Sequence, residues 1–219
     1  MRLLSPLAHR AWPLAGLFLA GWILVVAPAC SPEAPALDRP AIRAEWESWR
    51  ASRDSLYASD ASPVPDTLRD AFQGLVYFEY DSTHVVAASL QPSLETDTLL
   101  LGTSTGEPRP VVASGVLSFR TPDGRPHRLT AYHPIGPFGS TRLFVPFRDQ
   151  TSGSETYGGG RYMDVSPGEE GVVVLDFNQA YHPTCVVDPT FSCPLPPPEN
   201  ALEVLVTAGE RFPDDASGG

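Results

Sequence analysis

Val111-Val112-Ala113-Ser114-Gly115-Val116-Leu117-Ser118-Phe119-Arg120 is followed by Thr121-Pro122-Asp123-Gly124 and then by Arg128-Leu129-Thr130-Ala131-Tyr132-His133. Two runs rich in β-branched and aromatic residues flank a Pro-Asp-Gly turn, which is the local signature of a hairpin. The same pattern extends in both directions. Short apolar runs at His84–Leu90, Thr98–Gly102, Thr141–Phe147, Gly171–Asp176 and Leu202–Thr207 alternate with Gly, Pro and Asp turns. Strands at that spacing predict a mainly β domain, an antiparallel β-sandwich or a barrel-like sheet. Val172-Val173-Val174-Leu175 is continuously apolar and reads as a strand buried on both faces. No helix of crossover length separates the runs, which argues against a doubly wound α/β fold.

One helix precedes the strands. Between Arg39 and Ser59, the residues Ile42, Trp46, Trp49, Arg53 and Leu56 recur at spacings of three and four and define one amphipathic stripe. Asp38 can cap its start and Pro40 suits its first turn. Ser62-Pro63-Val64-Pro65 ends it. The two tryptophans read as core packing.

Upstream of the helix the chain carries an export signal. Arg2 and Arg10 flank a positive start, Ala11 to Val26 holds no charge, and Ala27-Pro28-Ala29-Cys30 provides a small-residue exit. The cysteine makes residues 1–29 resemble a lipoprotein signal peptide, with Cys30 as the lipidated new N-terminus. Ala27 and Pro28 depart from the usual box. An uncleaved anchor or simple secretion are the alternatives. Residues 30–40 read as a Pro- and Ala-rich tether, residues 41–212 as a single globular domain, and residues 213–219 as a disordered tail. The expected location is the cell envelope, outside the cytoplasm, with the domain held to a membrane through the lipid on Cys30.

Composition narrows the partners. The chain has 26 acids against 15 bases, and every base is Arg. Losing Arg2 and Arg10 with the signal takes the net charge from −11 to −13. Such a surface repels nucleic acid and anionic lipid head groups. Oligomeric state is not readable from these features.

Polar and special residues crowd between Phe147 and Arg211. Tyr157-Gly158-Gly159-Gly160-Arg161-Tyr162 and Asp176-Phe177-Asn178-Gln179-Ala180-Tyr181 are the densest blocks, with Phe72-Gln73-Gly74-Leu75 upstream and Ala208-Gly209-Glu210 at the end. On these blocks the chain resembles the bacterial family of domain of unknown function 1684 over roughly residues 45–212. The resemblance implies one coherent fold and no established activity. His182 stands where the family pattern leads one to expect Asn, which argues against an essential ligand there.

Taken on their own chemistry, Gly158 to Gly160 could form a backbone concavity for an anion, with Arg161 as a planar fork for carboxylate or phosphate. The alternative is a tight turn with Arg161 paired internally to Asp149, Asp164 or Asp176. Asp149, Asp176 and Glu210 could serve as acid–base groups or cation ligands, or could cap turns through Asp149-x-Thr151 and Asp176-x-Asn178. The candidate ligand-binding set is therefore Asp149, Thr151, Thr156, Tyr157, Gly158, Gly160, Arg161, Asp176, Asn178, Tyr181 and Glu210.

No metal or cofactor is expected. The glycines form neither a dinucleotide fingerprint nor a Walker loop, and no Lys could complete one. No nucleophile elbow or zinc-protease motif is present. Cys185 and Cys193 remain once Cys30 is lipidated; in an oxidising compartment they suggest a disulfide, with a metal site alongside His182 or a reactive thiol as alternatives. Three functions stay open: a binding module for a small anionic or polar ligand, a hydrolase using an Asp or Glu, and a structural envelope protein.

Overall fold

The computed structural model describes residues 36–94, 97–121, 123–135 and 142–214. The signal, Cys30, tether residues 30–35 and tail residues 215–219 lie outside the described residues.

Helix α1 (Arg39–Tyr57) begins where the sequence places it. The Asp38 carboxylate accepts a hydrogen bond from the Ala41 N–H at 3.1 Å, and Pro40 occupies the first turn. The stripe needs one correction. Trp46 is buried and Trp49 half-buried, but Leu56 is exposed and Tyr57 takes the inward position at the helix end. A short helix, α2 (Asp66–Arg69), follows.

The strands are β1 (Val76–Tyr77), β2 (Val85–Pro92), β3 (Thr98–Leu101), β4 (Arg109–Arg120), β5 (Pro126–Pro134), β6 (Leu143–Phe147), β7 (Arg161–Val165), β8 (Val172–Asp176) and β9 (Glu210–Arg211). Seven of them form one sheet in the order β7-β6-β5-β4-β2-β8, with β3 pairing the first half of β4. Every pairing is antiparallel. The sheet curls into a half-barrel, so the barrel-like expectation holds. β4 and β5 pair from Val111↔Pro134 to Arg120↔Pro126, and the Thr121–Arg125 connection closes with a Thr121 N–H···O=C Arg125 bond of 3.1 Å. β1 and β9 form a separate two-stranded ribbon.

The main core gathers residues of the sheet and of the segment that follows Asn200. Leu117, Leu129, Val145, Phe147, Val173 and Leu175 are fully enclosed and meet Leu202, Val204, Val206 and Ala208 from the end of the chain. Each such side chain contributes about 1.5–3 kcal/mol on burial. A second cluster gathers Leu101, Val111, Tyr132, Phe144 and Tyr162 with Cys185 and Cys193.

Two sequence expectations change. β8 pairs only with β2, at the edge of the sheet, and it is not buried on both faces: Val173 and Leu175 are buried while Val174 is exposed. Residues 202–207 alternate strictly between buried and exposed, but they bend at Glu203 and Val204 and do not form a sheet strand. Their backbone partners are partly side chains. Leu202 N–H donates to Arg148 O at 2.8 Å and Gln150 N–H to Val204 O at 2.9 Å. Beyond that point Asp149 and Arg161 replace the neighbouring strand. β7 begins at Arg161 itself, a strand that its polar residues and neighbouring glycines conceal in the sequence.

Candidate functional site

Arg161 enters the interior from the first position of β7 and is 0% exposed. Its guanidinium donates to Asp149 Oδ2 at 2.9 Å, to Val206 O at 2.8 Å, to Glu210 O at 3.1 Å and to Ala208 O. The three carbonyls belong to alternate residues of the last segment. One planar cation therefore does for that segment what a neighbouring strand's N–H groups would do. Asp149 completes the arrangement: its Oδ1 accepts from Thr151 N–H at 2.8 Å and Val206 N–H at 3.3 Å. Thr151 and Thr156 share a buried hydroxyl bond of 2.9 Å.

Gly160 shows why glycine precedes this arginine. Its φ is +92°, and a Cβ there would come 2.6 Å from Phe147 O. Its N–H is spent on Tyr157 O at 2.8 Å, closing a tight turn. Gly209 is similar, with φ +80° and a Cβ position 2.4 Å from Ala180 O. The entries to β7 and β9 thus approach their neighbours at backbone distance.

A second ion pair lies on the helix side of Glu210. Glu210 is 1% exposed; its Oε1 meets Arg53 Nε at 2.5 Å and its Oε2 accepts from His182 N–H at 2.7 Å. Burial pushes the Glu210 carboxyl upward, against the pull of Arg53. Arg53 also stacks over Tyr181, whose hydroxyl donates to Asp164 at 2.8 Å. His182 is buried, and its Nε2 accepts from Tyr157 N–H at 3.3 Å. Burial first, then repulsion by Arg161 and Arg53, lowers its pKa to about 3, so the ring is neutral.

Asp176 and Asn178 stand apart, at the end of β8. Asp176 Oδ1 accepts from both the N–H and the Nδ2 of Asn178. Asn178 in turn pairs with the backbone of Asp81, accepting from its N–H at 2.9 Å and donating to its carbonyl at 3.0 Å. Trp46 Nε1 donates to Asn178 O at 3.1 Å, which fastens α1 to this node. Burial raises the Asp176 carboxyl.

The candidate set thus falls into two nodes. Asp149, Thr151, Thr156, Gly160, Arg161 and Glu210 meet around the last segment, with Tyr157 and Tyr181 at its flank; Asp176 and Asn178 form the other. Gly158 is exposed and belongs to neither. Among the described residues no group of three His, Cys, Asp or Glu side chains is gathered as for a metal. Sequence reasoning missed Asn200, which is 0% exposed. It accepts from Thr130 N–H at 2.7 Å and donates to Thr130 O at 2.9 Å and Pro146 O at 2.7 Å. It also missed Arg53 as a charge partner, though an arginine on an apolar helical stripe was the available signal.

Two surface cavities accompany these nodes. One of about 330 Å³ lies between the end of α1 and α2, walled by Tyr57, Phe72 and Arg69. The other, about 400 Å³, has Val86, Phe177 and Val206 as apolar walls and His84, Gln150 and Arg125 at its polar margin. Asp123, held down to about 2 by the Thr121 hydroxyl and by Arg125, sits beside that arginine at 2.5 Å. None of Asp149, Arg161, Asp176 or Glu210 lines either cavity.

Fold and interior together define a class: a β-rich half-barrel whose last segment is held by a buried arginine. The chain belongs to the DUF1684 family of proteins of unknown function, whose model matches residues 70–211. The match begins after α1. The chain is also similar to an uncharacterized protein of Haloarcula marismortui solved by solution NMR, at 38% identity and a TM-score of 0.66, over 80% of this chain and 96% of that one. No curated protein matches it.

Proposed function

We propose that this is an exported domain, tethered to a membrane through a lipid on Cys30, that binds a small ligand bearing a polar or anionic group. The ligand site in this reading is the cleft of about 400 Å³ beside His84 and Arg125. The observation that carries it is the chemistry of that cleft: apolar walls beside an exposed arginine and an amide, the usual composition of a small-molecule site. An incoming anion would exchange with Asp123 for the Arg125 guanidinium. Lipidation rests on the Ala27-Pro28-Ala29-Cys30 box and the uncharged run before it.

Calorimetric titration of a panel of organic anions and polar metabolites tests the binding. A ligand should bind the wild type, and Arg125→Ala should weaken it about tenfold, the loss of one charge-assisted contact. Unchanged affinity in Arg125→Ala would remove the cleft from the reading. Mass spectrometry of the mature N-terminus tests the anchor, and an uncleaved Met1 would sink it.

The structural reading has its own support. Arg161 is fully enclosed by carbonyls and Asp149, an arrangement that knits the fold without presenting a fork to solvent. If no ligand binds and Arg161→Ala unfolds the domain, that second reading takes its place. The hydrolase reading is weaker, because Asp149, Asp176 and Glu210 are each occupied by protein donors away from both cavities.

A further inference from the structure

Cys185 and Cys193 stand together in the second cluster. Both are buried, and Cys185 N–H donates to Cys193 Sγ at 3.2 Å. Their positions are set from both ends of the loop. Thr184–Val186 forms a 3-10 turn that fixes Cys185. Cys193 is clamped to Ser104, whose N–H donates to Cys193 O at 2.9 Å and whose hydroxyl accepts from Cys193 N–H at 3.1 Å. Arg109 and Thr105 hold Ser192 just before it. The fold therefore brings two free cysteines, eight residues apart, together in one buried cluster with little freedom left to lose.

A metal does not account for the pair. His182 gives its Nε2 to Tyr157 N–H, and no third ligand group joins the sulfurs among the described residues. A reactive thiol does not account for it either. Burial first, and the Cys185 contact after it, push the Cys193 thiol up to about 12, where the nucleophilic thiolate is scarce at neutral pH.

We propose that Cys185 and Cys193 are joined by an intramolecular disulfide when the domain folds in an oxidising compartment. The oxidant is a small or protein disulfide, such as glutathione disulfide or an envelope thiol oxidase. One cysteine, as thiolate, attacks that disulfide and releases its first thiol; the second cysteine displaces the other. Two S–H bonds break, one S–S bond forms, and the acceptor disulfide is reduced to two thiols. Because burial suppresses the Cys193 thiolate, exchange belongs to the stage before the loop packs down.

The proposal rests on the export part of the proposed function and not on the cleft. The test uses the full chain, purified in detergent, unfolded under reductant and refolded in a mixture of reduced and oxidised glutathione. Alkylation in denaturant should then leave Cys185 and Cys193 unmodified, with an intact mass about 2 Da below the reduced form. Dithiothreitol should lower Tm by about 5–10 °C, as expected for opening a loop of this length in a domain of this size. Cys193→Ser should make Tm insensitive to dithiothreitol; if that variant fails to fold, the wild-type comparison alone decides. Alkylation of both cysteines after refolding, a glutathione adduct without a cross-link, or a Tm unmoved by reductant would each overturn the proposal. A bond formed in glutathione, with free thiols in protein taken from cells, would support the bond and count against export instead.

Discussion

At Arg161 one guanidinium meets three carbonyls and a carboxylate with no exposed surface. Removing it strands Asp149 as a buried anion and frees three carbonyls at once. Arg161→Ala should cost about 3–5 kcal/mol, the usual penalty for breaking a buried pair from one side. Arg161→Lys should recover little of it, because a point charge cannot serve a planar array of acceptors. Urea denaturation measures both; a lysine variant with wild-type stability would contradict this account. Asn200→Ala should cost about 2–4 kcal/mol, since it leaves Thr130 and Pro146 without their partner.

His182 yields a signed pH prediction. Its folded pKa is about 3, below the 6.5 of the free side chain. The unfolded chain therefore binds a proton that the folded one refuses, and stability falls as pH drops from about 6.5 toward 3, by up to about 1.4 kcal/mol per unit. Glu210 and Asp176, whose pKa values are raised, act in the opposite sense and flatten that limb. His182→Asn keeps an acceptor for Tyr157 N–H and removes the titration. Its Tm should therefore fall less between pH 6.5 and 4 than that of the wild type. Parallel curves would rule out His182 as the source.

The elements differ in how openly the sequence declares them. The β4–β5 hairpin was legible because its turn chemistry and its apolar runs point to the same answer. So were α1 and its cap, since Asp38 and Pro40 act within one turn. β7 was not, because Arg161 and Asp164 belong to nodes completed by residues far along the chain. Residues 202–207 were expected as a strand; the segment buries alternate side chains as a strand would, yet an apolar run cannot say who supplies the hydrogen bonds. Here the suppliers are an arginine and an aspartate. Val172–Leu175 misled in the other direction, since apolarity alone does not distinguish an interior strand from an edge with one exposed valine. Val174→Lys should accordingly change stability by less than about 0.5 kcal/mol, while Leu175→Ala should cost about 2–5 kcal/mol. Comparable losses at the two positions would restore the two-sided reading.

Across the whole molecule, the two polar nodes do one kind of work, joining segments distant in sequence. Asn178 ties the end of β8 to Asp81 and Trp46; Asn200 ties the final segment to β5 and β6. Arg53 with Glu210 fastens α1 to the chain end. The sequence revealed that these residues were special and crowded. It did not reveal their partners, because many are backbone groups that any residue could have supplied, and side-chain partners such as Glu210 for Arg53 lie far along the chain. A crowd of Gly, Arg, Asp and Asn is the composition both of a binding site and of an interior built from side-chain-to-backbone bonds. Only burial separates them, and burial here places the cleft beside Arg125 on the outside and Arg161 on the inside.

The grip of Arg161 on Val206, Ala208 and Glu210 also bears on how the chain is made. A polypeptide that has grown only as far as residue 205 holds a guanidinium with three of its four acceptors not yet synthesised. Enclosing that charge early is too costly, so the half-barrel cannot close around it. The domain therefore stays open until synthesis has passed Glu210. Under the export we propose, in which the chain crosses a membrane as an unfolded thread, such a late lock would delay folding until the passage is under way.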